Sequence, residues 1–219
     1  MALRPIQLLL VLACLVTHRP VLAGELRAQI LAADGKPLPD AVLVAFPADA
    51  STQSARHGTE VEDQVDKEFV PYVQVIRVGS TVKFPNKDNI RHHVYSFSPA
   101  KKFELPLYSG TPAAPVLFDK VGVVKLGCNI HDWMIGYLYV TDAPYFGKTA
   151  EQGRIELKDL RAGIYRVRVW HPRLDGEEES TAQTIEVKDS APATAQWVLK
   201  LKRELRPRRA PLPGESGYR

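Results

Sequence analysis

Sulfur is scarce in this sequence, which has two cysteines and two methionines among its 219 residues. Met1 and Cys14 lie in a segment with the pattern of an export signal, so a processed chain would keep only Cys128 and Met134. A single cysteine excludes an intramolecular disulfide. In an oxidising compartment a lone thiol is a liability unless it is buried or bonded, and a bound metal would protect it.

Long apolar segments are also missing. The longest, Ile6 to Val16, is too short to span a bilayer. It follows a basic N-terminal region and precedes the small-residue cleavage pattern Val21-Leu22-Ala23. We therefore expect residues 1–23 to be a signal peptide and the mature protein to be periplasmic, with no stable membrane insertion. The alternative is a lipoprotein acylated at Cys14, a pattern that Leu12 fits poorly.

Charge of one sign is not in large excess. The formal net charge is +4, and loss of Arg4 and Arg19 with the signal peptide would leave 4 − 2 = +2. Such a small charge argues against a nucleic-acid partner. Arginine and proline are concentrated in the tail at 202–219, which we expect to be disordered. The tail is either a solvated end or a segment that steers the protein toward an acidic partner or an anionic membrane surface.

No amphipathic helix of three turns is evident, and short alternating segments separated by turn residues predict an all-β protein of sandwiches or barrels. Polar or turn-rich breaks occur at 48–59 and 142–153. The predicted strands are Leu26–Ile30, Ala41–Phe46, Val73–Val78, Thr81–Phe84, His92–Phe97, Val123–Cys128, Tyr137–Val140, Arg154–Leu157, Ile164–Trp170, Thr184–Val187 and Gln196–Leu201.

The soft metal donors are concentrated in two short segments. Cys128, His131 and Met134 follow the pattern C-x2-H-x2-M, and His92 and His93 stand upstream at the start of a predicted strand. One thiolate, two imidazoles and a thioether are the donor set of a trigonal copper site with a weak axial methionine. Structural zinc prefers four strong nitrogen or sulfur ligands, so copper fits this set better.

Strand periodicity indicates how these donors could converge. Cys128 ends the alternating run that begins at Val123, and its position in that run places its sulfur on the apolar face. His131 and Met134 follow in a predicted loop, before the next run begins at Tyr137. The fourth donor must come from a neighbouring strand, where the upstream histidine pair is available. Four protein ligands leave no open position for a substrate, which favours electron transfer over catalysis.

The segment 60–144 resembles the cupredoxins, the plastocyanin-type blue copper proteins. The resemblance depends on Phe69-Val70-Pro71, on Val75–Gly79, on the V-x-F-x-N motif Val82-Lys83-Phe84-Pro85-Asn86, and on His92. The short C-x2-H-x2-M spacing is similar to that of amicyanin. The whole stretch also looks like periplasmic proteins labelled methylamine utilization or plastocyanin-like.

The cupredoxin resemblance implies a Greek-key β-sandwich with one type 1 copper ion. It implies His92, Cys128, His131 and Met134 as the ligands, with methionine in the axial position. The family usually has asparagine after the first histidine ligand, and this chain has His93 there. Either His93 takes the outer hydrogen-bonding role, or His93 is itself the ligand, since successive strand residues face opposite ways.

The two flanks of the chain carry a turn at Asp34-Gly35-Lys36-Pro37-Leu38 and the hairpin pattern of Gly153–Tyr165. With these features the flanks together resemble the carboxypeptidase-regulatory-like, or transthyretin-like, β-sandwich. We expect 24–48 and 145–201 to form one sandwich, with the cupredoxin inserted between them. The alternative is a cupredoxin running from residue 24 to about residue 144, followed by a small β module.

Together these features predict a non-enzymatic carrier of single electrons. The expected partner is a redox protein such as a c-type cytochrome or a periplasmic dehydrogenase. In relatives the histidine equivalent to His131 reaches the surface, so Ile130 and Trp133 either form a docking patch or, for Trp133, pack over the site. One rival is a copper-handling protein that uses the same ligands. The other is an interaction protein whose copper site is vestigial.

Overall fold

The computed structural model describes residues 24–49, 57–112 and 114–204. Within these ranges the chain forms seventeen β-strands and one short 3-10 helix, so the all-β prediction is confirmed. The predicted signal peptide and most of the predicted disordered tail, 205–219, lie outside the described residues. In the described part of the chain, no helix has the length and apolarity needed to cross a membrane.

Strands from the two flanks of the chain form two sheets that share one core. These strands are β1 (Gly24–Ala32), β2 (Val42–Pro47), β13 (Tyr145–Lys148), β14 (Arg154–Leu160), β15 (Gly163–Trp170), β16 (Gln183–Val187) and β17 (Ala193–Leu199). The 3-10 helix Glu178–Thr181 lies between β15 and β16. One sheet has the order β14–β1–β17 and the other the order β13–β2–β15–β16. We call this part of the molecule the outer sandwich.

Alternation along β1 explains the core of the outer sandwich. Leu26, Ala28 and Ile30 point inward and are buried, as is Trp197 of β17. The close approach of the chain at Gly153 requires glycine, because its φ is +66° and a Cβ there would lie 2.4 Å from the carbonyl oxygen of Ile30. The likeness of this sandwich to the transthyretin-like family stays a prediction.

The middle of the chain forms three further sheets, which we call the middle sandwich. Its strands are β3 (Thr59–Val61), β4 (Asp63–Val65), β5 (Glu68–Val70), β6 (Val73–Arg77), β7 (Ser80–Lys83), β8 (His92–Ser98), β9 (Lys101–Tyr108), β10 (Val116–Phe118), β11 (Gly122–Cys128) and β12 (His131–Thr141). A five-stranded sheet has the order β6–β12–β11–β8–β9, a three-stranded sheet has the order β10–β7–β3, and β4 pairs with β5. Phe84, Phe118, Leu126 and Leu138 are fully buried in the core between them.

The connection between the two sandwiches is visible in the pairing of β13 with β2. The chain leaves β2 after Pro47, and on its return Tyr145 lies opposite Ala45. The return segment is held by Arg77, whose guanidinium donates to the carbonyl oxygens of Ala143 and Pro144 over 3.1 Å each. The sequence predicts a break over 142–153, whereas the structure has strand β13 within it, because this segment completes the edge of the outer sheet beside β2.

A third apolar cluster joins the two sandwiches. Trp170 of the outer sandwich packs against Tyr137 and Tyr139 of β12, with ring centroids 5.9 and 5.4 Å away. The Tyr139 hydroxyl donates to the carboxylate of Glu178 over 2.7 Å. The buried members of this cluster are Val42, Val44, Val73, Tyr139 and Ala143. The two sandwiches therefore share buried surface.

Candidate metal centre

Three of the predicted donors meet at one end of the five-stranded sheet. The Sγ atom of Cys128 lies 3.7 Å from Nδ1 of His92 and 3.7 Å from Nδ1 of His131. All three donor atoms lie within 4.8 Å of one another. Cys128 and His92 are buried, whereas His131 is partly exposed. Among the described residues this is the one group of three or more His, Cys, Asp or Glu donors that could hold an ion.

A tight turn brings His131 back to Cys128. The sequence predicts a loop over the C-terminal donors, but the structure has only the turn Asn129-Ile130, and β12 already begins at His131. The register of β11 and β12 shifts between Gly127 and Cys128, so that Cys128 pairs directly with His131. Directly opposite residues on antiparallel strands have neighbouring side chains. The bulge thus places the donors face to face, and the predicted loop over them was wrong.

The two adjacent histidines are separated by the alternation of β8. His92 points into the core, and its Nε2 lies 2.7 Å from Oδ2 of Asp88. His93 points to the other face, where its Nε2 lies 2.8 Å from Oε1 of Glu104. The structure therefore brings His92 to Cys128 and leaves His93 outside the cluster.

Met134 is the remaining predicted donor. It is fully buried in β12 and packs in the same apolar cluster as Cys128. The two residues also line one cavity of about 460 Å³. Asp132, two positions before Met134 along β12, is exposed.

The spacing of the donors fits a first-row transition metal. Metal–sulfur bonds of about 2.3 Å and metal–nitrogen bonds of about 2.0–2.1 Å, at a trigonal angle of about 120°, put the two donors about 3.8 Å apart. The two observed distances from Cys128 Sγ to imidazole nitrogen are 3.7 Å. Thiolate, imidazole and thioether are the soft donors that copper prefers. The residues present therefore fit a copper ion.

Electrostatics favour the protonation states that such a site needs. Burial lowers the pKa of His131, the neighbouring His92 and Lys67 lower it further, and Asp88 opposes them. A neutral imidazole is the form that binds a metal. Burial opposes ionisation of Asp88, but hydrogen bonds from His92 and from two backbone N–H groups hold the pKa of this carboxyl below its ordinary value.

Aromatic rings cover the exposed side of the cluster. The His131 ring lies 5.0 Å from the ring of His92 and 5.2 Å from that of Trp133, centroid to centroid. Trp133 is partly exposed, and the neighbouring Ile130 is 47% exposed. Trp133 thus packs against His131 and is also partly exposed, and a role for it in docking stays a prediction.

Two residues that shape this site were not predicted from the sequence. Asn86, the last residue of the V-x-F-x-N motif, donates through Nδ2 to the carbonyl oxygens of Ile90 and Tyr108, over 2.8 and 3.0 Å. Its Oδ1 accepts the backbone N–H of Asp88 over 3.0 Å. The motif gave a signal for Asn86. No sequence feature pointed to Asp88, because an acidic residue in a polar loop is common.

No family model matches the chain, and no curated protein matches it. Similar solved structures include a copper-containing nitrite reductase from Thermus scotoductus SA-01, at 24% identity and a TM-score of 0.36 over 43% of this chain. The match spans only 25% of that enzyme's length.

Two smaller copper proteins are also similar. A purple cupredoxin from Nitrosopumilus maritimus has 23% identity and a TM-score of 0.33, with 38% of this chain and 99% of that protein covered. An oxidised mutant of amicyanin has 19% identity and a TM-score of 0.34, with 47% of this chain and 99% of that protein covered. Identities and scores this low assign neither a family nor a function to the chain.

Proposed function

We propose that the protein is a cupredoxin-like type 1 copper protein that transfers single electrons between redox partners. The main support is the convergence of Cys128 Sγ with two imidazole nitrogens at 3.7 Å each. His92, Cys128 and His131 would hold the ion as strong ligands, and Met134 would be the weak axial ligand. When bound, copper supplies a reversible one-electron couple.

The scaffold of this site is a sheet rather than a mobile loop. β8, β11 and β12 are neighbours in the five-stranded sheet, and Cys128 pairs with Val94 on one side and His131 on the other. Donors held on paired strands keep their spacing when the charge at the site changes, which is what a carrier requires. Burial of His92, Cys128 and Met134 excludes bulk water. With all four positions filled from the protein, no position is open for a substrate, so we assign a carrier role rather than an enzymatic one.

The exposed edge of the site offers a route for the electron. His131 is the partly exposed histidine of the cluster, and Trp133 and Ile130 beside it present apolar surface. An apolar surround lets a partner approach closely without desolvating charges. A redox protein such as a c-type cytochrome or a periplasmic dehydrogenase fits this role, and the export pattern of residues 1–23 supports a periplasmic location.

Visible absorption and EPR spectra of the mature protein with one equivalent of Cu(II) test this function, with Cys128→Ser as the comparison. We expect an intense thiolate-to-copper charge-transfer band that is absent from Cys128→Ser. Ascorbate should bleach the band, and an oxidant should restore it with no added copper.

Two results would contradict the carrier role. A colourless protein would exclude a thiolate–copper site. A band that does not return after reduction, with copper captured by a Cu(I) chelator, would instead indicate a protein that takes up and hands over copper. The burial of His92 and Cys128 argues against ready release of the ion.

A further inference from the structure

We propose that Asp88 is a positioning residue that holds the His92 imidazole in the Nε2–H tautomer and so turns a bare Nδ1 toward Cys128. This inference rests on the proposed metal centre. Neither the sequence pattern nor the cupredoxin resemblance points to Asp88.

A hydrogen bond joins the side chains of Asp88 and His92. Oδ2 of Asp88 lies 2.7 Å from Nε2 of His92, and the Asp88 side chain is only 11% exposed. An ionised carboxylate can only accept hydrogen bonds, so Nε2 must carry the proton. In a neutral imidazole the other nitrogen is then a bare acceptor. That nitrogen, Nδ1, is the atom 3.7 Å from Cys128 Sγ.

Asp88 is itself held from two sides. The backbone N–H of Asp66 donates to its Oδ1 over 2.7 Å, and the backbone N–H of Lys67 donates to its Oδ2 over 2.8 Å. Its own backbone N–H donates to Oδ1 of Asn86 over 3.0 Å. Since both carboxylate oxygens are engaged, the group cannot rotate away from His92 without losing hydrogen bonds.

The turn that supplies these two N–H groups has an unusual sequence. Asp66 and Lys67 are the two central residues of the β4–β5 hairpin, with φ values of 54° and 61°. A two-residue hairpin with positive φ at both positions favours Asn-Gly or a similar pair, and lysine is costly there. The turn nevertheless has this costly backbone conformation, and the N–H groups of both its central residues donate to the Asp88 carboxylate. This coincidence indicates that the turn serves the carboxylate.

Outer hydrogen-bond partners of metal-binding histidines fix the tautomer and orientation of the ring, and their removal lowers metal affinity about 10- to 100-fold. We therefore expect Asp88→Ala to weaken Cu(II) binding about 10- to 100-fold. Asp88→Asn should recover part of this loss, because its carbonyl oxygen still accepts from His92. It also removes a negative charge from the site, which should raise the reduction potential.

Glu104 offers a matched control. Its Oε1 lies 2.8 Å from Nε2 of the adjacent His93, but on the outer face of the same sheet. Glu104→Gln removes a carboxylate from an equivalent pair without touching the cluster. It should leave the copper affinity and the reduction potential unchanged.

The decisive readout does not require copper. Nitrogen-15 chemical shifts of His92 in the metal-free protein should report an Nε2–H tautomer in the wild type and in Glu104→Gln, and a mixture in Asp88→Ala. Unchanged His92 shifts together with unchanged copper affinity in Asp88→Ala would overturn the proposal. If Asp88→Ala does not fold, Asp88→Asn decides: an unchanged reduction potential and affinity would overturn it.

The same data separate the two proposals. Suppose that the His92 tautomer changes in Asp88→Ala but the wild-type protein forms no thiolate–copper band. This result would support the role of Asp88 and contradict the proposed function. A normal copper band with an unchanged tautomer would support the function and contradict the role of Asp88.

Discussion

His92 and His93 are consecutive residues of β8 that form similar pairs with carboxylates on opposite faces of one sheet. His92 meets Asp88 in the interior over 2.7 Å, and His93 meets Glu104 on the outside over 2.8 Å. Only His92 also faces Cys128 and His131. The pair therefore provides a comparison in which residue type and sequence position are nearly constant and only the direction of the side chain differs.

The first prediction uses this comparison. His92→Gln should abolish the thiolate–copper absorption band, because it removes one of three strong donors. His93→Gln should retain the band with at most a small shift. Visible titration of both variants with Cu(II) measures the difference. Loss of the band in His93→Gln with retention in His92→Gln would show that the ligand register is shifted by one residue.

The second prediction concerns Glu62, which is fully buried between β3 and β4. Burial raises the pKa of Glu62 well above its ordinary value of 4.5, Lys148 opposes this effect and Asp63 adds to it. The folded state therefore keeps a proton that the unfolded state releases. The contribution of protonated Glu62 to stability is complete below about pH 4.5 and is lost as the pH rises through the folded-state pKa.

Glu62→Gln should remove this pH dependence. Relative to the wild type, the free energy of unfolding of the variant should increase as the pH rises above about 4.5. Urea unfolding at several pH values measures the difference. The exposed Glu151 provides the control, since Glu151→Gln should follow the wild type at every pH. A difference that decreases with rising pH would contradict the direction of the shift.

The third prediction concerns the contact between the two sandwiches. Trp170→Ala should lower the free energy of unfolding by about 3 kcal/mol, because it removes a large ring packed on Tyr137 and Tyr139. The copper band should persist, and thermal unfolding should separate into two steps. Val198→Ala, at a position 58% exposed, should change little. A single transition with unchanged stability would show that this contact does not couple the sandwiches.

The fourth prediction compares two glycines with positive φ. Gly35 has a φ of +81° and open space around it, whereas a Cβ at Gly153 would also lie 2.4 Å from the carbonyl oxygen of Ile30. Gly35→Ala should cost about 1 kcal/mol, from backbone conformation alone. Gly153→Ala should cost clearly more, because the steric conflict is with backbone. Chemical denaturation of both variants measures this, and equal losses would contradict it.

Much of the donor set could be predicted from the sequence because soft ligands are rare and their spacing is short. Cys128 and His131 are three residues apart, so any reversal of the chain brings them near each other. The choice between His92 and His93 could not be made from the residues alone, since alternation only says that they face opposite ways. It depends on the register of β8 against β11, which pairs Val94 with Cys128.

Other features lay beyond the reach of sequence patterns for physical reasons. Strands β3, β4 and β5 have three residues each, too few for a period of two to be recognised. β9 contains Pro106, which weakens its strand signal and suits its place at the edge of the sheet. The role of Asp88 depends on a turn 21 residues earlier that supplies a backbone N–H, and no side-chain pattern records it.

The pairing of β1 has a consequence for the order in which the protein folds. Leu26 pairs with Leu157, and Ile30 pairs with Trp197. The strands that pair with β1 are therefore separated from it in the sequence by the whole middle sandwich. The entropy lost on closing such a loop falls if its interior is already compact with its ends adjacent, and Tyr145 does lie opposite Ala45. The middle sandwich should thus fold first and act as a short connector, and the outer sandwich should close around its two ends.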